Sequence, residues 1–299
     1  MKNKNRRAGK KGDILLYLIL TALSIGYLLP LLLMISVSFT SEEMISGFGY
    51  QLIPQKWSLE AYRAVFRDST QILDSYRTTI LYSLLSTVLA MFIQTLLAYP
   101  LARSNFRYKK AVTVYLMITM FFSGGLVPSY ILNTQYLHMG NTFWIYVVPG
   151  LMSAWNVIMF KTFYQGLPDG LIEAAKIDGA SEYRIYLSII IPLAKPIIAC
   201  LGFMYLLGKW NDWNTSLLYI RDSRLYSLQY LLQKLINEAD FLKQMQSSES
   251  GAGLFANEEP PFESLRYAIA VVAAGPMMVV FPFFQKYFTR GLVVGSVKS

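Results

Sequence analysis

Three short stretches hold most of the side chains with which this 299-residue chain could do chemistry. The first is polar and regular: Glu173-Ala174-Ala175, then Asp178-Gly179, then Ser181-Glu182, closing at Pro192. Pro168-Asp169-Gly170 precedes it and offers Asp169 or Gly170 as a helix N-cap. Leu171 to Ile177 reads as a short helix, with alanine supplying propensity. Gly179 stands where the chain must turn, a position suited to positive φ. Ser181 is placed to cap a second helix from Glu182 towards Ile191, and Pro192 marks the join to the next apolar run. The chemistry on offer is recognition: carboxylates for polar contacts, and an Ala174-Ala175 pair that lets another backbone come close. Leu171, Ile172, Ala175 and Ile177 add an apolar surface too short to be an independent fold. A docking element and a helix lying on a membrane surface fit this pattern equally.

The other two stretches are Trp155-Asn156 and Trp210-Asn211-Asp212-Trp213. Sugar rings present C–H faces that stack on indole, and their hydroxyls suit Asn and Asp. These residues are therefore candidates for a polar solute path. For Trp210 and Trp213 an aromatic belt at the membrane interface is the stronger competing reading. For Asn156 a hydrogen bond between two spans competes, because an amide in hydrocarbon faces protein or water.

Other chemistries are absent. No G-x-x-x-x-G-K-[ST] loop occurs for nucleotide, and no H-E-x-x-H, C-x-x-C or G-x-S-x-G. The one cysteine, Cys200, and the one histidine, His138, cannot make a metal site, and Cys200 reads as a packing thiol. No apolar run has Asp or Glu in its middle, so there is no carboxylate relay for proton coupling. No catalytic constellation is visible, and the chain is not read as an enzyme. Uphill solute movement would draw its energy from another subunit.

The elements that must position these residues are membrane spans. The chain is 54% hydrophobic and 15% charged, against about 25% charged in soluble domains. Its mean hydropathy is +0.38. Six runs are long enough to cross a hydrocarbon core: Ile14–Phe39, Thr79–Leu101, Ala111–Leu132, Thr142–Phe160, Pro192–Leu207 and Leu265–Gln285. Ser123-Gly124-Gly125 and Pro128 should break or bend the third, and the helix leading into the short fifth could lengthen it. The basic run before the first reads with it as an uncleaved span.

The net charge of +9 is distributed by topology. Segments 1–13, 102–110, 161–187 and 286–299 hold 16 of the 27 Lys and Arg, and the longer opposite segments hold 9. The positive-inside rule puts both termini in the cytoplasm. The excess then signals topology and contact with lipid headgroups, not nucleic acid. The expected organisation is a basic N-terminus (1–13), a first span with its outside loop (14–78), a five-span core (79–289) and a cytoplasmic tail (290–299). The core carries a cytoplasmic loop at 166–191 and a long outside loop at 208–264. Trp57 to Tyr62 could open a short surface helix capped by Ser58. In the long loop Leu225, Leu228, Leu231, Leu232, Leu235 and Ile236 predict an amphipathic helix. Ser247 to Gly253 reads as flexible, and Pro260-Pro261 halts the chain before the last span.

The spacing E-A-A, three residues, Gly, nine residues, I-x-L-P resembles the cytoplasmic-loop signature of permease subunits of ABC importers. Here it reads Glu173-Ala174-Ala175, Gly179 and Ile189-Ile190-Ile191-Pro192, with Ile191 where Leu is usual. Lys176-Ile177-Asp178-Gly179-Ala180 is similar to the form found in carbohydrate permeases. Gly124-Gly125-Leu126-Val127-Pro128, Asn141-Thr142, Trp210-Asn211-Asp212-Trp213 and the ending Gly295 to Ser299 extend the likeness, although Gly is the more usual last residue. The resemblance is to maltose-type oligosaccharide importers. It implies an all-α membrane protein with six transmembrane helices in the type I ABC importer permease fold, in a bacterial cytoplasmic (inner) membrane.

It also implies roles and partners. Glu173, Ala174, Ala175, Asp178, Gly179 and Pro192 would form the coupling helix, seated in a cleft of a cytoplasmic ABC ATPase dimer. That dimer would bind the ATP and Mg, leaving this chain without a cofactor. Lys298 in the basic tail would reach the ATPase or belong to a frayed end. A second homologous permease would complete the path, and an extracytoplasmic binding protein would deliver the oligosaccharide. The long outside loop would touch that binding protein or pack over the partner's mouth. A stand-alone channel or facilitator, or an ABC permease for a non-sugar polar solute, are the competing readings.

Overall fold

The computed structural model describes residues 4–67, 69–246 and 262–291. Among these the chain is helical, and one isolated antiparallel bridge pairs Thr40 with Trp57. In order the helices are α1 (Lys4–Ser38), α2 (Glu42–Phe48), α3 (Glu60–Val65), α4 (Ser69–Ala102), α5 (Lys109–Phe121), α6 (Leu126–Ile131), α7 (Trp144–Val147) and α8 (Ala154–Gln165). Then come α9 (Asp169–Ile177), α10 (Glu182–Ile185), α11 (Ile191–Leu193), α12 (Lys195–Trp210), α13 (Asn214–Tyr219), α14 (Leu228–Gln246) and α15 (Phe262–Gly291). Lys298 with residues 292–299 of the expected tail, and the Ser247 to Gly253 and Pro260-Pro261 readings, lie outside the described residues.

Three helices are long and apolar enough to cross a membrane: Ile14–Ser38, Thr70–Ala102 and Phe262–Gln285. Two more candidates are bent pairs. Lys109–Phe121 and Leu126–Tyr136 meet at 111°, and Glu182–Leu193 and Lys195–Trp210 meet at 75°. The first break falls at Gly124-Gly125, as expected, and Gly125 has φ +87. In the expected fourth span, Thr142–Phe160, the structure departs from the sequence reading. There α7 passes into a 3-10 turn at Val148–Gly150, and a new helix starts only at Ala154. Pro149 donates no N–H, and the Ser153 hydroxyl accepts from the Asn156 N–H at 3.4 Å to open α8. The described residues therefore hold three to five candidate spans, against six expected.

The chain divides into two compact units. One comprises Met1–Ser69 and Lys234–Gly275. Within it, residues 14–32 of α1 are exposed throughout, an apolar helix whose surface suits lipid or another chain. Glu42 caps the start of α15: its carboxylate accepts from the N–H groups of Glu263 (2.9 Å) and Ser264 (3.0 Å) and from the Ser264 hydroxyl (2.9 Å). A carboxylate at a helix N-terminus contributes about 1 kcal/mol. The N-cap of α3 is Leu59 and not the expected Ser58, whose hydroxyl accepts from the Glu60 N–H at 3.2 Å one residue earlier.

The other unit comprises Thr70–Gln233 and Pro276–Ser299. Its core joins α4, α8, α9, α10 and α12 through Ala98, Leu101, Phe160, Ile172, Ile185 and Leu201, all buried. A smaller cluster centres on Tyr82 and Tyr146, whose rings stack at 4.3 Å. The Tyr146 hydroxyl meets Ser216 Oγ at 2.5 Å and donates to the Leu225 carbonyl at 2.8 Å. The expected amphipathic helix is α14, beginning at Leu228 and not Leu225. Leu225 closes a 3-10 turn because Asp222 accepts from the Arg224 N–H at 3.0 Å, and Thr79 Oγ1 accepts from the Leu228 N–H at 2.8 Å.

Candidate functional site

The polar insert forms the helix, turn and helix that its residues predict. Its first helix, α9, starts at Asp169, with Pro168 at the cap position. Neither Asp169 nor Gly170 is the N-cap. Asp169 instead puts its charge in the first turn and Lys176 in the last, where each favours the helix dipole. Ile172 is buried and Ala175 packs against the core, while Glu173, Ala174, Asp178 and Gly179 are exposed. The expected single apolar surface is divided between two sides. Leu171 is half exposed and Ile177 is 87% exposed, so an isoleucine stands free beside the turn.

The turn is a Schellman motif. The Gly179 N–H donates to the Lys176 carbonyl at 3.0 Å, and the Ala180 N–H to the Ala175 carbonyl at 2.9 Å. This geometry needs a left-handed residue, and Gly179 has φ +76. Ser181 then caps α10, accepting from the Arg184 N–H at 3.4 Å. Glu182 ties the two helices to the bundle. One carboxylate oxygen pairs with Lys176 at 2.6 Å, and the other accepts from the Tyr99 hydroxyl at 2.5 Å. Tyr99 lies near the end of α4, so sequence distance concealed this tie.

The sequence reading placed the join to the next span at Pro192. The bend instead falls at Ala194, between α11 and α12. Pro196 opens α12 from its first turn and cannot continue the helix before it. Pro192 sits two residues earlier, after a π-turn at Tyr186–Ile190 in which the Ile191 N–H reaches back to the Tyr186 carbonyl.

The five path candidates sit in different surroundings. Trp155 is half exposed. Asn156 is buried and bonds across helices: its amide donates to Gln94 Oε1 at 2.9 Å, and Gln94 donates in turn to the Leu151 carbonyl at 2.8 Å. The competing reading of Asn156, a bond between two spans, is the one this geometry provides. Trp210 is 2% exposed, so it belongs to the packing of this unit and not to an interfacial belt. Asn211 accepts from Gln229 at 3.3 Å. Asp212 spends both oxygens on Thr215, on its N–H at 3.0 Å and its hydroxyl at 2.7 Å, just before α13, whose N-cap is Trp213.

A cavity of about 420 Å³ lies beside them, and none of the five lines it. It is bounded by Ser129 after the first break, Pro149 and Gly150 at the second, and Lys209 and Thr215 around the end of α12. Lys209 was read as a loop charge. Its only sequence signal is an ammonium set directly against the apolar run of the fifth span.

Apolar helices, some in bent pairs, beside a polar and rigidly built helical turn define a membrane protein with an exposed polar insert. The comparisons make this particular. Residues 6–294 match the family described as binding-protein-dependent transport system inner membrane component, and the chain belongs to that family. It is therefore a permease component of an ABC import system. It is 33% identical, over 96% of its length and 98% of the relative's, to the polygalacturonan/rhamnogalacturonan transport system permease protein YtcP of Bacillus subtilis. It is also 33% identical to Protein LplC of the same organism, over 99% and 97% of the two chains. A solved bacterial ABC transporter involved in the import of the acidic polysaccharide alginate superposes with a TM-score of 0.79 at 25% identity, covering 94% of this chain and 98% of that one.

Proposed function

We propose that this chain is the permease subunit through which a sugar or oligosaccharide, delivered by an extracytoplasmic binding protein, enters the cell. ATP hydrolysed in a separate cytoplasmic ABC ATPase dimer drives the movement. A second homologous permease completes the path, and the pair crosses the membrane with both termini of this chain inside. In this reading the chain has six spans, the fourth in two helical pieces. The cargo names of the relatives support the carbohydrate class.

The observation that carries the coupling role is the turn at Gly179. Its Schellman bonds and the Lys176–Glu182–Tyr99 tie hold Glu173, Ala174 and Asp178 exposed in one fixed arrangement. A merely interfacial helix has no need of so fixed a turn. Closure of the ATPase around this insert would move α4 through Tyr99 and α12 through the bend at Ala194.

Glu173→Lys reverses an exposed charge without touching the core. Uptake by membrane vesicles is expected to fall about tenfold or more, since a lost charged contact at an interface costs about 1.5–3 kcal/mol. Membrane insertion and thermal stability stay at the wild-type level. Wild-type uptake by this variant contradicts the docking role.

A further inference from the structure

We propose that the cavity where three broken segments meet is a subsite for a carboxylate-bearing saccharide, anchored by the Lys209 ammonium. This rests on the carbohydrate reading above and adds the charge of the cargo.

Discontinuous helices build the binding sites of many transporters. Here three such irregularities bound one space of about 420 Å³: the break before α6, the break after α7, and the α12–α13 junction. Ser129, Asn133, Asn214 and Thr215 line it with hydroxyls and amides, the groups that suit a polyol. Tyr219 adds an aromatic ring, stacked on Tyr130 at 5.5 Å and held by the Asn133 amide at 3.4 Å.

Lys209 gives this space its sign. Its Nζ donates to the Tyr146 carbonyl at 2.6 Å, an acceptor made available by the end of α7. An ammonium carries three donors, so two remain. No salt bridge with a described residue holds it: the charge of neighbouring Asp212 acts on it at a distance, both Asp212 oxygens being on Thr215, and the Tyr205 ring centroid lies 5.9 Å away. Gly150 is built to admit it. A Cβ there would lie 2.8 Å from Lys209 Nζ and 2.9 Å from the Tyr205 hydroxyl, which itself donates to the Gly150 carbonyl at 2.7 Å. A neutral donor would satisfy the Tyr146 carbonyl equally well. Removing a cation from water is costly, the neighbouring Asp212 charge offsets that only in part, and a ligand carboxylate would add a charge-assisted hydrogen bond.

The test uses the assembled transporter, solubilised with its ATPase and titrated calorimetrically with a galacturonic acid trimer and with the methyl ester of that trimer. The acid is expected to bind at least about 10-fold more tightly than the ester. Lys209→Gln keeps an N–H for Tyr146 and removes the charge. It should abolish the preference and leave ester affinity unchanged. Equal affinities for acid and ester in the wild type overturn the anchor while leaving the carbohydrate reading intact. So does a Lys209→Gln variant that weakens both alike. Binding of neither saccharide overturns the subsite and leaves the carbohydrate reading standing, since that reading also covers neutral oligosaccharides. The wild-type comparison decides the matter even where the variant does not assemble.

Discussion

Gly179→Val is expected to abolish solute uptake while the protein still inserts into the membrane. Nothing lies within 4 Å of a Cβ placed on Gly179, so crowding is not the cause. The cause is the backbone. At φ +76 an L side chain costs about 1–2 kcal/mol, and a β-branched one lies at the upper end. The strain is relieved by leaving the left-handed region. That breaks the Gly179–Lys176 and Ala180–Ala175 bonds and moves Ser181 and Glu182 with them. The exposed face of α9 then loses its fixed relation to α4. A graded series separates this account from a general defect. Asn should be best tolerated at 179, Ala intermediate and Val worst, because Asn visits this region most readily of the three. Uptake and ATP hydrolysis measured on the same vesicles give the readout. Hydrolysis that persists while uptake follows that order supports the turn as the transmitting element. Equal uptake in all three variants contradicts it.

Gln94→Leu is expected to cost about 2–3 kcal/mol of stability. Gln94 is fully buried and serves two partners at once, the Asn156 amide and the Leu151 carbonyl. Leucine fills much of the same volume but leaves both of those groups orphaned, next to the break in the fourth segment. Each buried orphan costs about 1–3 kcal/mol, and the lower figure applies because residual partners exist in membrane-unfolded states. Asn156→Leu removes only one bond and should cost about half as much. In the double variant the effects should sum to less than the two singles, since they share one bond. Thermal unfolding of the solubilised protein measures all three. A Gln94→Leu midpoint equal to wild type contradicts the assignment of this pair as the brace of the broken segment.

Local chemistry was the legible part of this chain. The insert could be read because its signals act over a few residues: alanine in a short helix, glycine at a left-handed turn, serine at a cap. Gly179 and Ser181 stand where that chemistry put them. The break at Gly124-Gly125 was legible for the same reason. Hydropathy then misled where it averaged over a break. Thr142–Phe160 is apolar enough for a span, and a window over it does not register that Pro149 removes a donor and Ser153 restarts a helix. The join at Ala194 was misplaced because two prolines compete there and Pro196, not Pro192, ends the first arm. Long-range ties left no trace in spacing. Nothing in the sequence links Tyr99 to Glu182, Glu42 to the start of α15, or Lys209 to the Tyr146 carbonyl. The same limit applied to the path residues. An Asn or Asp near an apolar run reads alike whether it bonds within its own turn, as Asp212 does, or braces another helix, as Asn156 does.

The central claim is that this chain moves solute with energy supplied by another protein through the Glu173–Pro192 insert. Its most direct test is gentle extraction of the tagged chain from its native membrane, followed by identification of what comes with it. The account predicts a P-loop ATPase and a second polytopic permease in stable association, with the ATPase lost selectively on Gly179→Val. A chain recovered alone that still passes solute across a reconstituted bilayer would contradict it.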